Sequence, residues 1–215
     1  MGATLDLDPD TLLTTTRAVR KRLDFDRKVP RPIIEECLQI AFQAPNGGNM
    51  NSWRWIVIDD PALIAKAAAI YNGGLDDYIA GLAKIGGYPG AQVHRADAIG
   101  TSVAYLREHF HRCPALLLPL AFGRTEGADL FNQGSTWGSI IQAVWSFMLA
   151  LRARGLGSAW TTGHLMRADA MATLLSIPKR YTQVGLFPIA YTLGTDFKPA
   201  HRKPTTEVIG WNGMP

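Results

Sequence analysis

With 215 residues, 47% of them hydrophobic, the chain is long enough to bury a sizeable core, and no stretch inside it resembles a linker, so one domain over residues 1–215 is expected. The net charge of +4 is scattered rather than gathered into a basic stripe with aromatics between, which disfavours a nucleic-acid partner. Two cysteines, Cys37 and Cys113, without a CxxC partner argue against a disulfide framework and a metal centre, and fit a reducing, cytoplasmic compartment. From the N-terminus, Asp8-Pro9 reads as a cap followed by proline at the first helical position, and no basic-then-apolar leader precedes it. A second helix follows Pro32, with Ile33, Ile34, Cys37, Leu38 and Ala41 on its core face, and breaks near Pro45 and the paired glycines Gly47 and Gly48. Residues 53–59 have the length and composition of a strand, and residues 61–71 are alanine-rich and helical. Residues 72–94, with Gly73, Gly74, Gly86, Gly87 and Pro89, read as an irregular, partly helical lid. A short helix over 104–112 precedes a strand over 115–122.

The uncharged run 130–151 has the length of a membrane span, but Asn132, Gln133, Ser135, Gln142 and Ser146 interrupt it and its apolar residues are periodic. It reads as a core helix from Gly138, with Ile140, Ile141, Val144, Met148 and Leu151 on one face and a stop at Gly155 and Gly157, so no membrane partner is expected. Trp137, Trp145 and Phe147 add more apolar surface to that helix than one subunit need cover, which predicts a homodimer. Beyond it come a strand over 158–161, a helix over 167–176, a strand over 184–194 and a short final strand over 207–211. Strands alternating with helices make the chain α/β or α+β.

Three blocks invite a chemical reading. The basic run 17–22 is either a solvated charge run or a set of forked donors for a phosphate. Pro45-Asn46-Gly47-Gly48-Asn49-Met50-Asn51 is a turn by composition, and its side-chain amides both donate and accept. The join of a buried helix to Trp160-Thr161-Thr162-Gly163-His164 delivers a polar loop to a defined place, the kind of join that holds a flat cofactor, with glycine permitting close approach. His164 is either a proton donor to substrate or a structural partner, and Ser139 is either a ligand contact or a residue of the helix start.

In this order, the blocks Thr16-Arg17-Ala18-Val19-Arg20, Ala44 to Trp53, Gly134 to His164 and His201-Arg202-Lys203-Pro204 resemble the nitroreductase family of FMN-dependent flavoproteins. The resemblance implies an α+β fold with a central mixed, mostly antiparallel sheet wrapped by helices, a two-fold homodimer around the long helix, FMN as cofactor, and NAD(P)H as electron donor. It also implies roles. In the family's Arg-x-Ser-x-Arg/Lys block the first basic residue serves the phosphate and the last faces the N1/O2 edge of the ring, giving those roles to Arg17 and Arg20, with Ala18 in place of the serine and Val19 between. Thr16 stands where many members carry arginine. Pro45, Asn46, Gly47, Asn49 and Asn51 match the loop packed against the flavin held mainly by the partner subunit, with Asn51 for the family's glutamine and Ser52 for its proline. Gly138 and Ser139 match positions near the flavin and the dimer seam, and Thr161, Thr162 and Gly163 match the segment along N5. Arg202 matches the arginine that returns to the phosphate, while Ala200 replaces its basic neighbour, leaving Lys198 or His201 to substitute. The implied activity is hydride transfer from NAD(P)H to a small electron-poor acceptor such as a nitroaromatic or quinone, by a ping-pong scheme. The alternatives are a flavin-binding protein with little turnover, or a reductive dehalogenase gripping an amino-acid zwitterion with Asp76, Asp77, Tyr78 and Lys84.

Overall fold

The computed structural model describes residues 3–84 and 96–215. At its centre lies strand β3 (Ala115–Phe122), buried along all but its last residue. Alternate side chains point to opposite faces of a strand, and both faces here are covered. Ala115, Leu117 and Ala121 enter one core with helices α2 (Arg31–Ala41) and α5 (Leu130–Ala153). Leu116, Leu118 and Leu120 enter a second core with α3 (Pro61–Lys84), α4 (Ala96–His109) and α6 (Ala168–Leu174). Two-sided burial is why β3 reads as an unbroken apolar run.

The sheet order is β1 (Leu23–Asp24), β6 (Phe187–Thr192), β3, β2 (Arg54–Ile58), with β4 (Leu156–Gly157) also on β6 and β5 (Tyr181–Gln183) also on β3. Each of these pairings is antiparallel. The strand expected over 184–194 is β6 alone, at Phe187–Thr192, while β5 precedes it and residues 184–186 interrupt the ladder between the two. Pro119 explains where they separate. Its carbonyl accepts from Val184 N, so its missing N–H faces the break between β5 and β6 and no ladder bond is lost. The strand expected over 158–161 shrinks to an isolated bridge between Thr161 and Leu186, because Ser158 O is already taken by Val19 N.

The helices correct other expectations. Helix α3 runs unbroken through Gly73 and Gly74 to Lys84, so the first half of the expected lid is regular helix, and residues 85–94 lie outside the described residues. Helix α4 begins at Ala96 rather than 104. Helix α5 begins at Leu130 rather than at Gly138, capped by the Asp129 carboxylate accepting from Asn132 N, and so takes in Gly134 and places Gly138 in its interior. Phe147 is fully buried in the core and faces no partner, whereas Trp145 is 40% exposed. The final strand over 207–211 is absent: Pro204 leads into a 3₁₀ turn at Thr205–Glu207, and Val208, Ile209 and Trp211 stay exposed without a sheet edge to join. Among the described residues no helix is long and apolar enough to cross a membrane.

Candidate functional site

After α1 (Pro9–Thr15) the chain becomes an extended strap, pinned by Val19 N donating to Ser158 O at 2.8 Å and by the burial of Val19 and Leu23. The intervening residues are left to face a cavity of about 730 Å³, walled by residues 17–22, by Ala98, Ile99 and Ser102 of α4, and by the terminal segment 196–202. Arg17, Ala18, Val19, Arg20 and Arg202, far apart in sequence, are brought together there, as are Lys198 and His201. Arg17 Nη1 donates to Lys198 O at 3.0 Å, tying the strap to the terminal segment. Among the described residues of the wall Asp196 is the one carboxylate, and it is paired with Arg22 at 2.5 Å.

Arg20 is the informative group. It is half-buried and makes no hydrogen bond or ion pair among the described residues. Burial lowers the stability of its charged form, and the nearby Tyr71 phenol opposes that effect. A guanidinium held in a cavity without a partner is suited to an anionic group on a ligand.

Thr161, Thr162 and Gly163 are not in the cavity wall; Tyr71 links them to it. This buried phenol, electrostatically coupled to Arg20, stacks on Phe110 at 4.4 Å, and its ring lies 2.9 Å from where a side chain at Gly163 would begin. On the same helix, a Cβ at Gly74 would overlap the Gly163 carbonyl oxygen, and Asp77 holds Arg167 through two hydrogen bonds of 2.6 and 3.0 Å. Thr161 bonds to Leu186 through its hydroxyl and its carbonyl. The backbone at 161–163 is thus gripped from both sides.

Asn46, Gly47 and Ser139 meet in a second cavity of about 250 Å³ that shares no lining residue with the first. Gly47 N donates to Ser139 Oγ at 2.8 Å, while Pro45 and Gly138 lie outside both walls. The asparagines build the loop: Asn49 and Asn51 adopt φ of 51° and 48°, and Asn46 Oδ1 accepts from Asn51 N at 2.9 Å. The Asn46 and Asn51 amides bond each other at 3.1 Å.

His164 departs from both readings of the sequence. It is fully buried, neither ring nitrogen has a partner among the described residues, and burial pushes the imidazole down to about 4. It is neutral at pH 7 and donates no proton to a substrate. Because the unfolded chain protonates this residue near 6.5 and the folded chain only near 4, acid favours unfolding across that interval. Stability should be intact above about pH 6.5 and fall by roughly 3 kcal/mol on the way to pH 4. Urea midpoints across that range should show the fall, and His164→Leu should flatten it. Burial also pushes Cys37 up to about 11 and Cys113 to about 12, so neither thiol is a nucleophile at neutral pH.

The sequence reading missed Tyr71, Phe197 and the wall supplied by α4. A signal for the last existed: Ile99, Val103, Leu106 and Phe110 fall at i, i+4, i+7 and i+11. Nothing local marks the other two.

A relative described as NADH dehydrogenase from Thermus thermophilus is 26% identical over 215 residues, covering 98% of this chain and 100% of its own length. Among solved structures, an FMN- and NADPH-dependent nitroreductase, NfnB, from sphigopyxis sp. strain HMH superposes with a TM-score of 0.68 at 20% identity, covering 97% of this chain and 100% of that one. Iodotyrosine deiodinase bound to FMN and 3-iodo-L-tyrosine gives 0.67 at 22% identity, covering 94% and 97%. These two likenesses establish the fold. A match to the nitroreductase family spans residues 13–191, taking in the strap, the loop and the 161–163 segment and stopping short of Arg202, and the chain therefore belongs to that family.

Proposed function

We propose that the chain is a cytoplasmic FMN-dependent oxidoreductase, folded as one domain and working as a homodimer. It moves a hydride from NADH or NADPH to an electron-poor acceptor such as a nitroaromatic or quinone, the two visiting the site in turn. The observation that carries this reading is Arg20, a half-buried cation without a partner among the described residues, in one cavity with Arg17 and Arg202, where the one carboxylate that the described residues contribute is already engaged. FMN, when bound, supplies the hydride chemistry itself. Arg17 and Arg202 would hold its phosphate, Arg20 would face the N1/O2 edge, and the gripped backbone at 162–163 would lie along N5. Asn46, Asn51, Gly138 and Ser139 would complete the site of a second copy. Support for that copy comes from the separateness of the second cavity and from the apolar side chains near it: Met50, Phe122, Leu130 and Phe131 are 71, 51, 86 and 79% exposed.

The likeness to iodotyrosine deiodinase fits the dehalogenase alternative, but two of the residues it would use are engaged elsewhere. Asp76 pairs with Arg107 at 2.6 Å and Asp77 with Arg167, so both carboxylates hold α3 in place instead of awaiting a zwitterion.

The purified protein should be yellow, release FMN rather than FAD, sediment as a dimer at micromolar concentration, and give parallel-line kinetics with NAD(P)H and a quinone. A protein that remains colourless after incubation with FMN refutes the proposal. Bound FMN without pyridine-nucleotide oxidation would leave only the flavin-binding alternative.

A further inference from the structure

Arg152, in the last turn of α5, is 5% exposed and has no carboxylate partner among the described residues. Its Nη2 donates to Thr195 O at 3.0 Å and to Thr15 Oγ1 at 3.2 Å; Nε and Nη1 are buried with no partner there. A buried cation so poorly compensated is costly unless something nearby uses it. What lies nearby is Phe197. The Arg152 guanidinium sits 5.0 Å from that ring's centroid, and the ring itself forms part of the wall of the large cavity.

Arg22 reaches the same ring at 4.3 Å, donates to Leu193 O at 2.8 Å and pairs with Asp196. Two arginines from distant parts of the chain thus clamp the turn 193–197, directly before the segment that carries Arg202 into the cavity. They differ in charge balance: Arg22 is offset by Asp196, and Arg152 is not.

We propose that Arg152 is a positioning residue for the phosphate half of the cavity, and that its uncompensated charge, one ring away from the wall, makes the cavity select a phosphorylated flavin over riboflavin. The proposal rests on the reading of that cavity as the flavin site. Two effects combine. The bond to Thr195 O and the contact with Phe197 fix the base of the segment bearing Lys198 and Arg202, and a cation in a low-dielectric interior projects positive potential into the cavity with little screening. Both act on a dianion far more than on a neutral ribityl end.

The test is the ratio of riboflavin to FMN dissociation constants, measured by fluorescence titration of the whole chain. Arg152→Met should weaken FMN on the order of tenfold and riboflavin less than about twofold, and Arg152→Lys, which keeps the charge, should restore most of the ratio. Asp196→Asn, at a side chain 89% exposed, leaves Arg22 unbalanced and should shift the ratio the other way by about twofold. Arg152→Gln, which also removes the charge but keeps a donor for Thr195 O, carries the test if Arg152→Met fails to fold. Equal losses for FMN and riboflavin in either variant overturn the inference, and an unmoved ratio in Asp196→Asn overturns its electrostatic part. A wild-type protein that binds neither flavin overturns the underlying site assignment instead.

Discussion

Gly74→Ala is expected to lower the melting temperature of the chain by about 4–8 °C, whereas Gly81→Ala, seven residues further along the same helix, should raise it by about 2–4 °C. Each substitution removes a glycine from the interior of α3, which alone favours the folded state by roughly 0.5–1 kcal/mol. Their surroundings decide the sign. At Gly81 an added Cβ meets nothing within 4 Å. At Gly74 it would overlap the carbonyl oxygen of Gly163, a backbone atom in a segment also held by Tyr71 and by the Asp77–Arg167 pair, so the helix must move away. Overpacking of that kind costs about 1–3 kcal/mol or more and outweighs the gain in propensity. Gly73→Ala is an intermediate case, since its Cβ meets the flexible end of Arg167, which can swing aside at the loss of its bonds to Asp77. Thermal scans of the three variants at one protein and flavin concentration check the order. A Gly74→Ala protein as stable as the parent would show that α3 and the 163–167 turn are not packed backbone to backbone.

That seam also shows what local sequence could and could not reveal. Gly73 and Gly74 look like helix breakers, and only the approach of residues some 90 positions away explains why a helix carries them. Strand β3 was legible because both of its faces are apolar and Gly123, at φ 96°, ends it. The end of α5 was legible for the same reason at Gly155, φ 72°. Its start was not, since Gly138 looks like a helix head while the real signal, Asp129 three residues before Asn132, lies upstream. Strand β1 is two residues long and exists through its pairing with Tyr191 and Thr192, so its own sequence carries no period to read. At the site, the cations were visible as residue types in the right order. Their supports, the buried Tyr71 that interacts electrostatically with Arg20 and the partly buried Phe197 beside Arg22 and Arg152, take their role from long-range contacts. His164 was visible and misleading: a polar residue beside two threonines and a glycine turns out to lie in the interior without a partner among the described residues.

Removing Arg202 or Arg20, two arginines of the same cavity wall, should separate binding from redox tuning. Arg202→Ala is expected to raise the FMN dissociation constant roughly 10- to 100-fold, the worth of one charge-assisted phosphate contact of about 1.5–3 kcal/mol, and to leave the flavin's reduction potential unchanged. A phosphate carries the same charge whether the ring is oxidised or reduced, so its partner acts on both states alike. Arg20→Ala should lower the potential by about 30–60 mV, which is the same energy expressed for a two-electron couple, because the ring edge it would face gains negative charge only on reduction. Their environments sharpen the contrast. Arg202 is exposed and, among the described residues, donates only to the neighbouring His201 carbonyl, so its contribution should shrink as salt is added; Arg20 is half-buried and unpaired among those residues, so its effect should persist. A redox titration of both variants with saturating FMN, at low and high ionic strength, measures all of this. If the potential is unmoved in Arg20→Ala, or falls equally in both variants, the phosphate and ring roles of the strap must be exchanged, with Arg17 or Lys21 taking the place at the ring edge.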